Sequence, residues 1–131
     1  MASKFLANPG LKYFWAAGFF SWATLILVLS VLPTNEMIKK SNEDSTFRWD
    51  YLEHFGVFVV FALLFGFWRS STTGEMNREL LYFLIMGSIY ASFTEVVQLW
   101  IDGRTFNPLD LLFNLLGLLI GIVITRIYIL K

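Results

Sequence analysis

Three short stretches of this 131-residue chain hold most of the side chains able to do chemistry: Asp50-Tyr51-Leu52-Glu53-His54, then Glu95-Val96-Val97-Gln98 followed by Asp102, and Arg104 with Asn107, Asp110 and Asn114. A lone imidazole among carboxylates suits proton transfer. The same groups, Asp50, Glu53, His54, Glu95 and Asp110, are also oxygen and nitrogen donors of the kind a divalent cation takes. One His without a recognised ligand spacing leaves the expectation at no metal and no cofactor. The chain has no Cys, which removes disulfides, thiolate metal sites and a thiol nucleophile together. A Ser-His-Asp site would need His54, yet no Gly-x-Ser-x-Gly sequence occurs, and there is no Gly-rich phosphate loop.

The elements that must position these groups are apolar. The chain is 56% hydrophobic and 15% charged, against about 25% charged in an ordinary soluble domain. Four apolar runs, at about 11–32, 51–68, 80–101 and 109–130, are each about as long as a helix needs to cross a bilayer core. They predict an all-α integral membrane protein, four transmembrane helices in a single bundle, as one domain over residues 1–131. The first run is too long for a secretory h-region and ends Leu29-Ser30-Val31-Leu32-Pro33 without a small-residue cleavage site, so it reads as a retained span. Tyr13, Trp15, Trp49, Tyr51, Trp68, Tyr82, Trp100 and Tyr128 fall near the predicted ends, where amphipathic rings meet the headgroups. The 14 Phe residues read as lipid-facing or packing surface. A net charge of zero gives no footprint for nucleic acid.

Orientation follows the Lys and Arg count. With the N-terminus inside, Lys4, Lys12, Arg69, Arg78, Arg126 and Lys131 lie inside and Lys39, Lys40, Arg48 and Arg104 outside, which favours cytoplasmic N- and C-termini. Whichever way the chain inserts, four spans put the start of the second helix, the end of the third and the start of the fourth at one membrane face. All three polar stretches occupy those ends.

Helical spacing places the polar residues on packing faces. Asp50 and His54 are four apart and share a face. Ser88, Ala91, Glu95, Gln98 and Asp102 form one seam of the third span, and Asn107, Asp110, Asn114, Gly117 and Gly121 one seam of the fourth. Gly117 and Gly121 make a Gly-x-x-x-Gly pair of the kind that lets helices approach closely in lipid. Glu95 lies six residues before Ile101, about 9 Å below that helix end. A carboxylate at that depth must be paired, protonated or reached by water. Arg104, folding back past Gly103, and His54 are the expected partners. A purely structural alternative makes the whole network a packing device.

Taken together, Asp50-Tyr-Leu-Glu-His54-Phe, Glu95-Val-Val-Gln98 and Gly103-Arg104-Thr-Phe-Asn-Pro-Leu-Asp110-Leu-Leu-Phe-Asn114-Leu-Leu-Gly117 resemble the VanZ-like family of small bacterial membrane proteins over about residues 11–130. Asp50, His54, Glu95, Gln98, Arg104, Asp110, Asn114 and Gly117 match the family pattern position by position. Tyr51 stands where relatives often have Lys, and Asp102 where Pro often precedes the Gly-Arg pair. The resemblance implies a multi-pass protein of the cell membrane and, from the family's founding member, low-level resistance to the lipoglycopeptide teicoplanin. It supplies no reaction.

The expectation is therefore a non-enzymatic envelope protein embedded in the lipid bilayer. Its outward polar pocket, Asp50, His54, Glu95, Gln98, Arg104, Asp110 and Asn114, would bind or exclude a lipid headgroup or a lipoglycopeptide. The alternative is an intramembrane enzyme acting on a lipid-linked substrate, with Glu95 or His54 as acid or base and Arg104 holding an anionic group.

Overall fold

The computed structural model describes residues 9–33, 49–70 and 76–129. Lys4, Lys39, Lys40, Arg48, Lys131 and the Ser/Thr-containing stretch 71–75 lie outside these residues. The described chain forms four long helices: α1 (Pro9–Val31), α2 (Trp49–Ser70), α3 (Met76–Val97) and α4 (Pro108–Ile124). A 3₁₀ turn, Gln98–Trp100, prolongs α3, and a π turn, Thr125–Ile129, prolongs α4. All four are long and apolar enough to cross a membrane. Helices are what such sequences must form in lipid, because no water is available there to satisfy an open backbone.

The spans follow the apolar runs, with the largest departure at the start of α3. That helix begins at Met76 rather than near residue 80, so its first turn includes the polar Asn77, Arg78 and Glu79. Glu79 earns its place there through the Arg69 guanidinium at the end of α2, whose Nε donates to its Oε2 at 2.7 Å while Nη2 reaches its Oε1. This ion pair clasps the α2–α3 hairpin at the membrane face opposite the polar stretches.

Small residues set the α2–α4 contact. The face of α4 that carries Gly117 and Gly121 lies directly on the α2 backbone: a Cβ at Gly117 would run into the Phe55 carbonyl oxygen, and one at Gly121 would come within 2.6 Å of the Ala62 Cβ and 2.8 Å of the Val59 oxygen. Further along, the buried Thr125 fills the space that a side chain at Gly66 would need.

Phe58, Phe61, Ala62, Phe83, Ala91 and Leu118 form the core, joined by Ile26 from α1. Toward the Arg69–Glu79 end it is aromatic: Phe65 stacks on Phe83 with centroids 3.9 Å apart, and Phe19 stacks on Phe61 at 4.9 Å. Polar contacts in the middle of α1 tie it to α2 and α3. Trp22 Nε1 donates to the Val57 carbonyl at 3.0 Å, and the Tyr90 hydroxyl donates to the Ala23 carbonyl.

The outer surface is apolar, with Ile85, Met86, Ile89, Phe93, Leu112 and Leu119 all exposed. In water such a surface would aggregate, whereas in a bilayer it is the lipid contact. Among the predicted interfacial rings, Tyr13, Trp49, Tyr82, Trp100 and Tyr128 are exposed. Trp15, Tyr51 and Trp68 are instead packed between helices, against Phe67, Phe113 and Phe19.

Candidate functional site

The polar ends converge because the α2–α4 contact continues upward from its glycines. One turn above Gly117 on α4 comes Asn114, and another turn above that Asp110. On α2, His54 precedes the Phe55 that touches Gly117, and Asp50 lies one turn earlier. Tyr51 and Phe113 stack beside them, nearly parallel with centroids 5.1 Å apart, and hold the two helices in register at this end.

Three of these residues form one hydrogen-bonded relay. Asn114 Nδ2 donates to Glu95 Oε1 at 2.9 Å. The other end of the amide, Oδ1, faces His54 Nδ1 at 3.0 Å. An amide oxygen only accepts, so Nδ1 carries the proton and donates. The relay crosses from α3 through α4 to α2. Glu95 and Asn114 are each only 1% exposed, while the His54 side chain is 21% exposed. Glu95 Oε1 also lies 3.6 Å from His54 Nδ1, and Glu95 Oε2 has no hydrogen-bond partner among the described residues.

The far side of the imidazole looks onto two more carboxylates. His54 Nε2 is 3.8 Å from Asp50 Oδ1 and 3.7 Å from Asp110 Oδ2. Both separations exceed an N–H···O hydrogen bond. One suitable atom from each of Asp50, His54 and Asp110 lies within 4.8 Å of the others, a grouping that could hold a metal ion.

A tight loop supports the cluster from α4's start. Asn107 caps the helix through its Oδ1, which accepts from the Leu109 amide at 3.0 Å, while its Nδ2 donates to Asp110 Oδ1 at 2.9 Å. One side chain thus starts the helix and orients the aspartate. Pro108 at the first helical position needs no amide partner, which suits it to this start. The combination Asn-Pro-x-Asp is legible in the sequence as a helix start, but its second bond depends on the bend of the loop.

Arg104 goes elsewhere than expected. Gly103, at φ 78°, is the one residue with positive φ among those described, and it turns the chain so that Arg104 points at the end of α1. Its Nε donates to the Leu32 carbonyl at 2.8 Å and its Nη2 to the Leu29 carbonyl at 2.9 Å. The guanidinium caps α1, whose last carbonyls have no partners within the helix. It remains near enough to Glu95 for their charges to interact, but its hydrogen bonds fasten α1 to the α3–α4 loop.

Gln98 is buried, as the α3 seam requires. Asp102 is exposed, because the 3₁₀ turn and the extended Ile101, at φ −108° and ψ 127°, carry it off the seam. Glu53 is exposed as well.

The arrangement has a definite electrostatic character. Asp50, Glu95 and Asp110 surround one imidazole, and the donors of Arg104 named above point to backbone. Carboxylates so placed can hold a cation or accept from ammonium and hydroxyl donors.

Comparison with curated proteins and with solved structures finds no match to either. A sequence profile described as VanZ/LLP1 matches residues 19–130, a stretch that includes every residue of the cluster. With four membrane-length helices and that match, the chain belongs to the VanZ/LLP1 family and is a multi-pass integral protein of the cell membrane.

Proposed function

We propose that this protein receives the polar head of an amphiphile, a lipid or a lipoglycopeptide, at the extracytoplasmic end of its α2–α3–α4 contact, without catalysing a reaction on it. The observation that carries the reading is the placement of the Glu95–Asn114–His54 relay. Two of its members are buried, and the third holds a partly exposed ring edge between Asp50 and Asp110. Bundle packing alone would be served by the buried half. The exposed edge, flanked by acceptors, suits an amine or a set of hydroxyls on the incoming headgroup.

Expression in a lipoglycopeptide-susceptible bacterium, comparing the wild-type chain with Glu95→Gln and Arg104→Ala, tests this function. The reading expects wild type to alter sensitivity and Glu95→Gln to lose that effect at equal protein level. Unchanged sensitivity with every variant, together with no headgroup binding to the purified protein, contradicts it.

One observation favours the enzymatic alternative. The relay gives His54 a fixed tautomer with Nε2 as its basic nitrogen, the state a general base needs. A lipid-linked substrate accumulating in a deletion strain, and cleared by wild type but not by His54→Gln, would select that reading.

A further inference from the structure

The sides of the His54 ring are held in different ways, and the difference points to an ion. At Nδ1 the ring donates to Asn114 Oδ1 at 3.0 Å, and Asn114 in turn donates to Glu95. With the proton fixed at Nδ1, the neutral ring presents a lone pair at Nε2. That lone pair faces Asp50 Oδ1 at 3.8 Å and Asp110 Oδ2 at 3.7 Å. Three electron-rich atoms therefore converge at distances too long for hydrogen bonds between them. Atoms so separated can all lie about 2.0–2.5 Å from a single ion.

The surroundings are those of a metal-binding histidine. Such a ring commonly donates its second N–H to an acceptor that fixes its orientation, and the carboxylate ligands are themselves hydrogen-bonded. Asn114 fills the first role, and Asn107 Nδ2, donating to Asp110 Oδ1 at 2.9 Å, fills the second. An independent observation lies at the opposite ring edge. Glu95, 1% exposed, brings Oε1 to 3.6 Å from Nδ1 and leaves Oε2 without a hydrogen-bond partner among the described residues. This buried carboxylate beside Asp50 and Asp110 adds to the negative character of the cluster, while the two hydrogen bonds of Arg104 run to the Leu29 and Leu32 carbonyls.

We propose that Asp50, His54 and Asp110 form a divalent metal site, which takes one transition ion of the zinc type through His54 Nε2 and one carboxylate oxygen from each aspartate. The imidazole selects against calcium and magnesium, which prefer an all-oxygen shell. Three protein ligands leave a coordination position open toward the exposed edge of the ring. The site does not rest on the headgroup reading: an ion and an amine headgroup would compete for the same three atoms, so zinc binding is measured without added lipoglycopeptide or amine-headed lipid.

Tag-free protein in lipid nanodiscs, titrated calorimetrically with zinc chloride and separately with calcium chloride, tests the site. One zinc per chain is expected, in preference to calcium. Asp50→Asn, at the half-exposed start of α2, should weaken zinc binding at least about 10-fold, while Glu79→Gln at the other membrane face leaves it unchanged. His54 is the chain's one histidine, so its ¹⁵N spectrum has a single imidazole. Zinc should shift Nε2 as the ligating nitrogen and leave Nδ1 protonated. Absence of stoichiometric zinc binding to folded wild type, zinc attached at Nδ1, or affinity unaffected by both Asp50→Asn and Asp110→Asn would each overturn the proposal.

Discussion

His54 Nδ1 lies 3.0 Å from Asn114 Oδ1, joining residues 60 positions apart and binding the start of α2 to the start of α4. Because the same amide also donates to Glu95, Asn114 is the centre of the site. It is the residue whose two ends satisfy an imidazole and a carboxylate on different helices.

Removing that centre should cost more than removing the charge it serves. Asn114→Ala strips a buried partner from both neighbours and should destabilise the bundle by about 1–3 kcal/mol. Glu95→Gln keeps an acceptor for Asn114 and removes a buried carboxylate, so it should stay within about 1 kcal/mol of wild type while abolishing function. Thermal unfolding in detergent, followed by helix signal, measures both. Equal losses in the two variants would make the cluster a packing device.

The glycine face makes a sharper stability prediction. A Cβ at Gly117 meets the Phe55 carbonyl, which is backbone and cannot swing aside. Gly117→Ala should therefore cost about 1–3 kcal/mol and move His54 away from Asn114. Gly56 has open space where a Cβ would go, so Gly56→Ala should leave the unfolding temperature in place.

Arg104→Ala should loosen α1. Its two hydrogen bonds to the Leu29 and Leu32 carbonyls are partly open to solvent, so the expected loss is modest, about 1 kcal/mol. Amide exchange should nevertheless rise selectively at the end of α1. Arg104→Lys should rescue little, because an ammonium lacks the planar fork that serves both carbonyls.

Orientation is open to a direct chemical check, since the chain carries no Cys. With the termini inside, a single cysteine at the exposed Asp102 should react with a membrane-impermeant maleimide added to whole cells. One at the exposed Arg78 should react only after the membrane is opened. The reverse pattern would place the site at the cytoplasmic face.

Much of this was legible from residue spacing. Long apolar runs have one solution in lipid, so the four helices follow from length. Their alternating direction forces Asp50, Glu95 and Asp110 to one face, and period-3.6 spacing puts Asn114, Gly117 and Gly121 on one side of α4. Spacing along one helix does not give the rotation of another against it. It therefore could not show that Asn114 bridges His54 and Glu95 or that Tyr51 stacks on Phe113. Spacing also does not give the acceptors of Arg104. A long side chain after a flexible glycine can reach several acceptors, and the carbonyls at the end of α1, 72 and 75 residues away in sequence, are the ones it meets. Asp102 left its seam because the helix tightens into a 3₁₀ turn before reaching it.

The central claim, that this cluster receives an amphiphile's head, is tested most directly by native mass spectrometry. Wild-type and His54→Gln protein would be released from nanodiscs containing lipids with amine, hydroxyl-rich and anionic headgroups. The account predicts that wild type retains one amine- or hydroxyl-bearing lipid or lipoglycopeptide in preference to an anionic lipid, and that His54→Gln, still folded, loses the preference. Equal retention of every headgroup by both proteins would contradict it.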